Sequence, residues 1–254
     1  MNIDEFVAKL PISITSGNRA PLPDSVIRKM FQLAELGSTD VLYDLNCSDG
    51  RAVELAATEF HVRKSVGISS DPGTAGGAAQ RLKEVKSVQI IHAEPDSVKF
   101  MEATAVLAWF ADQKSALRIE RKLRKELPKH GRIITIWSPF GLTLPDKIDF
   151  PFYVTKKPFR RARSIRDQVE LVYGSKCIDF TAAWLLAERF IDGIETVPGE
   201  YRRFVTILQS LVIWINAWKM GLTCEKEIPP PVETYMGIMR TFFDVDLSSM
   251  LEAR

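Results

Sequence analysis

The sequence has few of the residues on which disulfide frameworks and metal sites depend. Its 254 residues include three cysteines and three histidines. Cys47, Cys177 and Cys224 are odd in number and far apart, so their spacing shows neither a paired framework nor a set of metal ligands. The first ten residues also lack the basic and apolar regions of a signal peptide. We therefore expect unpaired cysteines, no metal site and a cytoplasmic location.

A strong net charge and a clear membrane span are also missing. The formal net charge is +2, which gives no strong global attraction to nucleic acid or to an anionic membrane. Residues 204–222 are mostly apolar, but five polar residues interrupt them and no basic flanks set a topology. We interpret this segment as a buried or interface helix and expect no membrane partner. The 46% hydrophobic and 26% charged residues are typical of a globular protein.

The pattern of residues 41–60 predicts the first unit of an open α/β sheet. Residues 41–45 form a short apolar run, interrupted by Asp44, that favours a β-strand. Residues 46–50 (NCSDG) have turn chemistry, and apolar residues then recur at helical spacing. Ligands of such sheets bind at the carboxyl ends of the strands, which is where this turn would lie.

Residues 44–51 (DLNCSDGR) resemble motif I of the Rossmann-like S-adenosylmethionine (SAM) methyltransferases, an acid followed by three glycines at alternate positions. The lead-in APLPDSVIRKMFQLAEL and the stretch GSTDVLYDL before the turn are similar too. They look most like the small archaeal protein-lysine methyltransferases, over roughly residues 21–137. The resemblance implies an α/β fold, a Rossmann-like methyltransferase sheet with an α-helical C-terminal extension, and SAM as cofactor.

Two departures from the family pattern both concern residues that would contact the cofactor. Asn46 and Ser48 stand where glycines would let the backbone approach the methionine end of SAM, and only Gly50 remains. SAM enzymes end the second strand, predicted here at residues 65–69, in an acid that accepts from both ribose hydroxyls. Ser69 occupies that place, and Asp71, two residues on, is either a substitute or a turn or cap residue.

The resemblance implies a role for each part of the cleft. Asp44 and the backbone of residues 46–50 would hold the methionine end of SAM, Ser69 or Asp71 the ribose, and Glu94 the adenine amino group. Glu94 follows a third strand, predicted at residues 88–92. The candidate cofactor-binding residues are thus Asp44, Asn46, Ser48, Gly50, Ser69, Asp71 and Glu94.

The fourth strand, predicted at residues 104–110, ends in two aromatic residues. Trp109 and Phe110 either line a channel for an aliphatic amine such as lysine or belong to the core. The Asn/Asp-Pro-Pro-aromatic motif of enzymes that methylate base amines is missing here, which argues against such a substrate. No residue is identified as a catalytic base.

The C-terminal part begins with a cluster of cations. Before this cluster, the pattern predicts a basic helix at residues 114–127 and a fifth strand at residues 132–137. A stretch with several prolines, irregular or β-rich, follows where a methyltransferase places its sixth and seventh strands. Contact with nucleic acid or another partner is one interpretation of the cluster, and a solvated helix start is the other. Its members are Lys156, Lys157, Arg160, Arg161, Arg163 and Arg166.

Helical periodicity predicts most of the remaining chain. A helix capped by Asp24 and ended by Gly37 precedes the first strand, and other helices are expected at residues 3–10, 78–85, 165–173, 179–191, 201–220 and 232–243. The apolar C-terminal helices must pack on one another, on the sheet, or on a second copy in a homo-oligomer. We therefore divide the chain into a methyltransferase domain, residues 1–155, and a basic segment with a helical extension, residues 156–254.

Two functions of different classes remain open. The first is a SAM-dependent methyltransferase that acts on an amine, such as a protein lysine; the second is a degenerate, non-catalytic methyltransferase-like module that binds a protein or RNA partner. Asp44, Gly50, Arg51 and Glu94 favour the first function, whereas the missing glycines and the missing ribose acid favour the second.

Overall fold

The described part of the chain folds into two compact units, residues 22–162 and residues 163–251. The structure, a computed structural model, describes residues 22–108, 113–136, 138–194, 197 and 199–251. The helix expected at residues 3–10 lies outside these ranges. Within them, no helix has both the length and the apolar character needed to cross a membrane.

The first unit alternates strands and helices and then closes with a hairpin. Its seven strands form one sheet of order β3-β2-β1-β4-β5-β7-β6, in which β1 to β5 are parallel and β7 is antiparallel to both neighbours. This arrangement confirms the predicted Rossmann-like α/β sheet. The elements are α1 (Asp24–Leu33), β1 (Val41–Asp44), α2 (Arg51–Thr58), β2 (Lys64–Ser69), α3 (Pro72–Arg81), β3 (Val88–His92), a 3₁₀ turn (Pro95–Ser97), β4 (Ala105–Leu107), α4 (Gln113–Glu126), β5 (Arg132–Ile136), β6 (Lys147–Asp149) and β7 (Phe152–Lys156).

The central strands are apolar along their whole length because helices cover the sheet. Val41, Val66, Val106 and Ile133, one from each of four adjacent strands, lie in a single buried cluster. The inner side of α4 joins this cluster through Ile119 and Leu123, and Leu127, the residue after the helix, belongs to it too. The apolar residues of α4 thus face the sheet, and its many charged residues are left for the outer side.

Helix α1 differs from the sequence prediction at both ends. Pro23 is its N-cap and Asp24 its first helical residue, without a side-chain cap hydrogen bond, so the prediction of Asp24 as cap is wrong. The helix ends at Leu33, well before Gly37, because Glu35 has a left-handed backbone with φ 55°.

Helix α3 begins earlier than predicted. The carboxylate of Asp71 accepts the N–H of Thr74 at 2.6 Å and caps a helix whose first residue is Pro72. The sequence left two alternatives for Asp71, a substitute for the ribose acid or a turn or cap residue, and the structure shows it as a cap residue. The three glycines that follow it lie inside this helix, and the prediction of a helix at residues 78–85 is wrong in its boundaries.

A buried ion pair connects the amino ends of three neighbouring strands. Arg132, which begins β5, donates to both carboxylate oxygens of Asp40 at 3.0 and 2.7 Å. Thr104, just before β4, donates its hydroxyl to the same carboxylate at 2.7 Å. Burial by itself would raise the pKa of Asp40, but hydrogen bonds from Arg132, Thr104 and Gly37 and the charge of Arg132 hold it below its usual value. These bonds fix the register of β1, β4 and β5.

The second unit is helical in its described part. Helix α5 has the predicted bounds, and the next three helices overlap their predicted ranges, whereas α9 was not predicted. Trp214 is fully buried in α7, which confirms that the apolar segment is a buried helix. The helices are α5 (Ile165–Tyr173), α6 (Phe180–Ile194), α7 (Arg202–Lys219), α8 (Pro230–Phe243) and α9 (Ser248–Leu251), with a 3₁₀ turn (Gly199–Tyr201).

Two cysteines are paired, contrary to the sequence prediction. A disulfide joins Cys177 to Cys224, whose Cα atoms are 4.9 Å apart. A β-bridge between Ile178 and Thr223 holds the two segments together, with hydrogen bonds of 2.8 Å from Ile178 N–H to the Leu222 carbonyl and 3.2 Å from Cys224 N–H to the Ile178 carbonyl. Cys47 alone is free. The cysteines therefore give no argument for a reducing compartment.

We expect the variant with both Cys177→Ser and Cys224→Ser to lose about 2–4 kcal/mol of unfolding free energy, because the bond closes a long loop and restricts the unfolded chain. Guanidinium denaturation followed by tryptophan fluorescence measures this loss. As a control, the unreduced wild type is denatured, alkylated and weighed by mass spectrometry. Labelling of Cys47 alone fits the pairing, whereas labelling of all three cysteines would contradict it.

Candidate functional site

A cleft lies at the carboxyl ends of four adjacent parallel strands. Asp44 ends β1, Ser69 ends β2, Leu107 ends β4 and Ile136 ends β5, and all four residues line the cleft. The loop between β1 and α2 and the start of the segment after β2 complete the wall, and Leu22 and Ile27 contribute apolar surface. The strand order reverses between β1 and β4, where open α/β sheets bind their ligands.

The loop between β1 and α2 is held by hydrogen bonds to its neighbours. Leu45 N–H donates to the Leu107 carbonyl and Cys47 N–H donates to the Ile68 carbonyl, both at 2.9 Å. From α3, Arg81 donates to the carbonyl of Asp49 at 3.1 and 2.8 Å. The loop therefore has a shape imposed by β2, β4 and α3 rather than by its own sequence alone.

Only one position of this loop requires glycine. Gly50 is the N-cap of α2 with φ 81°, and a Cβ there would lie 2.7 Å from Leu82 Cδ1. Asn46 and Ser48 are not among the described residues with positive φ, so backbone strain does not oppose the two substitutions. What the substitutions change is the wall of the cleft, which Asn46 and Ser48 both line.

Cys47 forms part of the cleft wall, and its role was missed from the sequence. Its side chain is buried against Val53 and Leu82. A Cβ on Gly67 would lie 2.5 Å from its Sγ atom, so the glycine in β2 makes room for the thiol. Burial raises the pKa of the Cys47 thiol, which stays protonated. An apolar position in the middle of a turn was the only signal that could have revealed it.

Asp44 is a buried acid at the floor of the cleft. Its carboxylate accepts the N–H of Asn46 at 3.1 Å, and no ion pair reaches it within the described part of the chain. Burial raises the pKa of Asp44 to about 7; the hydrogen bond from Asn46 opposes this shift, and the charge of Asp49 adds to it. Among the residues that the structure describes, the cleft thus contains a buried carboxyl group without a cationic partner.

The end of β2 offers weaker acceptors. The hydroxyl of Ser69 both donates to the Asp71 carbonyl and accepts the Asp71 N–H, each at 3.3 Å. The carboxylate of Asp71 is engaged as the cap of α3. Both residues line the cleft, together with Ser70 and Thr74, which the sequence had not singled out.

Other predicted site residues lie elsewhere. Glu94 is exposed, immediately before the 3₁₀ turn that follows β3, and is not among the residues that line the cleft. Trp109 and Phe110 lie outside the described residues. Of the predicted cofactor residues, the structure therefore brings together Asp44, the loop after it, and the pair at the end of β2.

Ion pairs connect the cleft to α1. Arg51, at the start of α2, lines the cleft and pairs with Asp49 at 3.0 Å and with Asp24 at 3.4 Å. Arg28 extends this network to Asp24 at 3.7 Å and to Glu59 at 2.7 Å. The ion pair between Arg51 and Asp24 therefore helps to place the start of α1, with its apolar residue Ile27, beside the cleft.

The predicted basic segment is divided between the two units, and most of its side chains have local partners. In the first unit, Lys156 pairs with Glu35 at 3.7 Å, Lys157 donates to the Leu127 carbonyl, Arg160 pairs with Asp146 at 3.6 Å, and Arg161 pairs with Glu120 at 3.6 Å. In the second unit, Arg166 donates its guanidinium group to the Gly221 carbonyl at 2.9 Å, and the backbone N–H of Arg163, rather than its side chain, donates to Asp167 at 2.7 Å.

Comparisons with known proteins agree with this architecture. The chain is 29% identical over 118 residues to a protein-lysine N-methyltransferase of Saccharolobus islandicus, a match that covers 45% of this chain and 73% of that protein. It is also similar to the crystal structure of an RNA methyltransferase from Salinibacter ruber in complex with S-adenosyl-L-homocysteine. The TM-score is 0.52 and the identity 26%, over 57% of this chain and 99% of the other. No family model matches the chain.

These matches confirm the resemblance to the Rossmann-like methyltransferases. The curated relative and the solved structure are both methyltransferases, and the solved structure shares the fold of the first unit. They support SAM as the cofactor and SAM-dependent methyl transfer as the class of reaction.

We expect Asp44→Asn to stabilise the protein at pH 8 by an amount on the order of 2–4 kcal/mol, because folding raises the pKa of this acid. Burial of the ionised carboxylate costs stability as the pH rises from the unfolded pKa through the folded value near 7. Near pH 4 the acid is protonated in the folded state and about half protonated in the unfolded state, so most of the difference should disappear.

Denaturant unfolding at pH 4 and pH 8 measures this effect. Asp149→Asn, which changes an exposed carboxylate of the same unit, is the matched control and should show no gain that depends on pH. A loss of stability in Asp44→Asn at pH 8 would show that the carboxylate is not buried without a cation.

Proposed function

We propose that this chain, whose first unit has the Rossmann-like methyltransferase fold, is a SAM-dependent methyltransferase that acts on a protein lysine. The observation that carries the proposal is Asp44, a buried acid without a cation at the switch point of the sheet. The methionine end of SAM bears an ammonium group, which would supply the missing charge. The choice of lysine is supported by the relative from Saccharolobus islandicus, which is a protein-lysine N-methyltransferase.

The donors and acceptors of the cleft fit the methionine end of SAM. Asp44 would accept from the ammonium group, and the rigid backbone of residues 46–50 would border the same end. At the N-terminus of α2, the Arg51 N–H donates to the Asp49 carboxylate at 3.0 Å. The N–H groups that follow it and the positive helix dipole would face the carboxylate of the ligand. Asn46 and Ser48 add polar side chains where the family has glycines, and both can hydrogen-bond to a polar ligand.

The fit at the ribose and the adenine is less complete. Ser69 offers one hydroxyl where a carboxylate would make two charge-assisted bonds, and Asp71 would contribute only the acceptor capacity that the α3 cap leaves. We assign the adenine amino group to Glu94, which follows β3, is exposed and lies outside the residues that line the cleft. The ribose end should therefore contribute less to binding than it does in enzymes with an acid there.

The acceptor side of the reaction is assigned to the residues that follow β4. Trp109 and Phe110 would line a channel for the aliphatic side chain of lysine. SAM supplies the methyl group in activated form, so the residues of the protein need to align the amine and to exclude water. No residue is assigned as a general base.

A second candidate is a non-catalytic methyltransferase-like module that binds a protein or RNA partner. It is favoured by Ser69 in place of an acid and by the side chains of Asn46 and Ser48 in the cleft wall. The two candidates differ in cofactor affinity, because a module of this kind has no need to bind SAM.

Calorimetric titration with S-adenosylhomocysteine tests the cofactor assignment. We expect micromolar binding by the wild type at pH 8 and a loss of at least tenfold in Asp44→Asn, because the amide has no charge to pair with the ammonium group. Wild-type affinity should also fall about tenfold between pH 8 and pH 6, as protonation of Asp44 competes with the ligand.

The matched control is again Asp149→Asn, which should bind as the wild type does at both pH values. Absence of binding up to millimolar ligand would contradict the methyltransferase assignment and favour the binding module. Equal affinity of wild type and Asp44→Asn would remove Asp44 from the site.

To test the acceptor, the enzyme is incubated with SAM labelled in its methyl group and with a cell extract from a strain that lacks the gene. We expect the label to enter protein, to survive nuclease, to disappear on protease treatment, and to be recovered as methyl-lysine after acid hydrolysis. Label that survives protease and disappears with ribonuclease would contradict the lysine assignment. Heat-denatured enzyme serves as the blank.

A further inference from the structure

The outer side of α4 carries a concentration of positive charge that the proposed reaction does not use. Residues 113–129 contain seven lysine and arginine residues and two glutamates, although the whole chain has a formal net charge of only +2. Neither glutamate is exposed: Glu120 is buried, and Glu126 accepts the N–H of Phe100 at 2.9 Å. The exposed charge of this helix is therefore almost wholly positive.

Six exposed cations belong to this surface, which we call the basic face. Five lie on α4 or just after it. The sixth, Arg161, joins them through Glu120, whose Oε1 atom pairs with Arg124 at 3.0 Å and with Arg161 at 3.6 Å. One buried carboxylate is thus shared by two guanidinium groups, which leaves a net positive charge. The members of the basic face are Arg118, Arg121, Arg124, Lys125, Lys129 and Arg161.

Half of the basic face has no acidic partner. No ion pair within 4.0 Å involves Arg121, Lys125 or Lys129 in the part of the chain that the structure describes. Arg121 and Lys125 stand four residues apart on one helix, an arrangement of like charges that destabilises the helix. A surface shaped by stability alone would place an acid at one of these positions. A bound polyanion would relieve the repulsion instead.

The spacing and residue types of the basic face suit phosphate groups. One side of the helix carries Arg118, Arg121 and Lys125, and the rise from residue 118 to residue 125 is about 10 Å. Four of the six cations are arginines, whose planar fork binds phosphate oxygens in pairs. Arg124 also lies over the ring of Phe159, 6.0 Å from its centre, which limits the freedom of its guanidinium group.

We infer that the basic face binds the phosphate backbone of single-stranded RNA. The inference depends on the first unit alone and does not rest on the proposed cofactor or acceptor. It moves the nucleic-acid contact from the segment at residues 156–166, most of whose cations are engaged locally, to α4 with Arg161 as the shared member. Backbone contacts of this kind are electrostatic and carry little sequence preference.

Fluorescence anisotropy with a short labelled single-stranded RNA of mixed sequence tests the inference. A face that neutralises five or six phosphates should lose roughly 100- to 300-fold in affinity between 50 and 200 mM salt. The triple variant Arg121→Glu, Lys125→Glu, Lys129→Glu removes cations without acidic partners, so it should fold normally. Its salt dependence should fall to about half of the wild-type slope.

The matched control reverses one arginine and two lysines elsewhere in the first unit, Arg63→Glu, Lys83→Glu and Lys86→Glu, all of which are exposed. It has the same net charge as the test variant and should keep the wild-type slope. Circular dichroism melts of both variants verify folding, and calorimetry with S-adenosylhomocysteine shows whether the cleft is intact.

Three results would overturn the inference. The first is no RNA binding by the wild type at 50 mM salt, and the second is an equal loss of slope in both variants, which would show an effect of net charge alone. The third is equal affinity for polyglutamate of similar length, which would indicate a surface for acidic proteins. Loss of RNA binding with intact cofactor binding supports the inference, whatever the methyl acceptor is.

Discussion

The buried pair between Asp40 and Arg132 is the constraint on which the geometry of the first unit depends. It joins the residue before β1 to the first residue of β5, and the hydroxyl of Thr104 brings in β4 between them. Together with the backbone pairing of β1, β4 and β5, these bonds hold the strands in the register in which Asp44, Leu107 and Ile136 meet at the other edge of the sheet. The cleft is thus positioned by polar contacts at the end of the sheet away from it.

Two buried acids, Asp44 in β1 and Asp40 just before it, show how the surroundings of a carboxyl group determine whether its role is structural or ligand-binding. Asp40 has a guanidinium partner, and its pKa lies below the usual value, so it contributes stability whenever it is ionised. Asp44 has no cationic partner in the described part of the chain, and its pKa is raised to about 7, so its charge is a cost to the fold. An acid kept in place against stability is typical of a binding site. Its position at the switch point of the sheet favours the same conclusion.

Much of the fold could be predicted because its signals are local. Apolar runs with turns between them gave the parallel strands, and helical periodicity gave α5 at its observed bounds. The errors occurred where one residue's backbone or cap decides a boundary. Glu35 ends α1 through a left-handed backbone, and Asp71 with Pro72 starts α3 before its glycines. The disulfide between Cys177 and Cys224 could not be predicted, because their 47-residue separation is closed only by tertiary structure.

The site was predictable to the extent that it follows one motif. Asp44, the turn after it, Ser69 and Asp71 were expected together, and all line the cleft. Leu107 was missed because the fourth strand was predicted to extend to residue 110, whereas β4 ends at Leu107. Ile136 was missed because its apolar side chain does not distinguish a ligand contact from a core residue. The basic face was not predicted as a site because the small net charge of the whole chain does not reveal a local excess of positive charge. The sequence displayed a basic helix but could not show that its two glutamates turn inward.

The central claim is that the cleft at the ends of β1 and β2 holds the methionine end of SAM. The most direct measurement is a titration of ¹⁵N-labelled protein with S-adenosylhomocysteine, followed by two-dimensional NMR of the backbone amides. We expect saturable shifts concentrated at residues 46–52 and 69–74, with those of Gly50 and Asn46 among the largest. Saturable shifts that leave this loop unchanged, or no shifts at all at millimolar ligand, would contradict it.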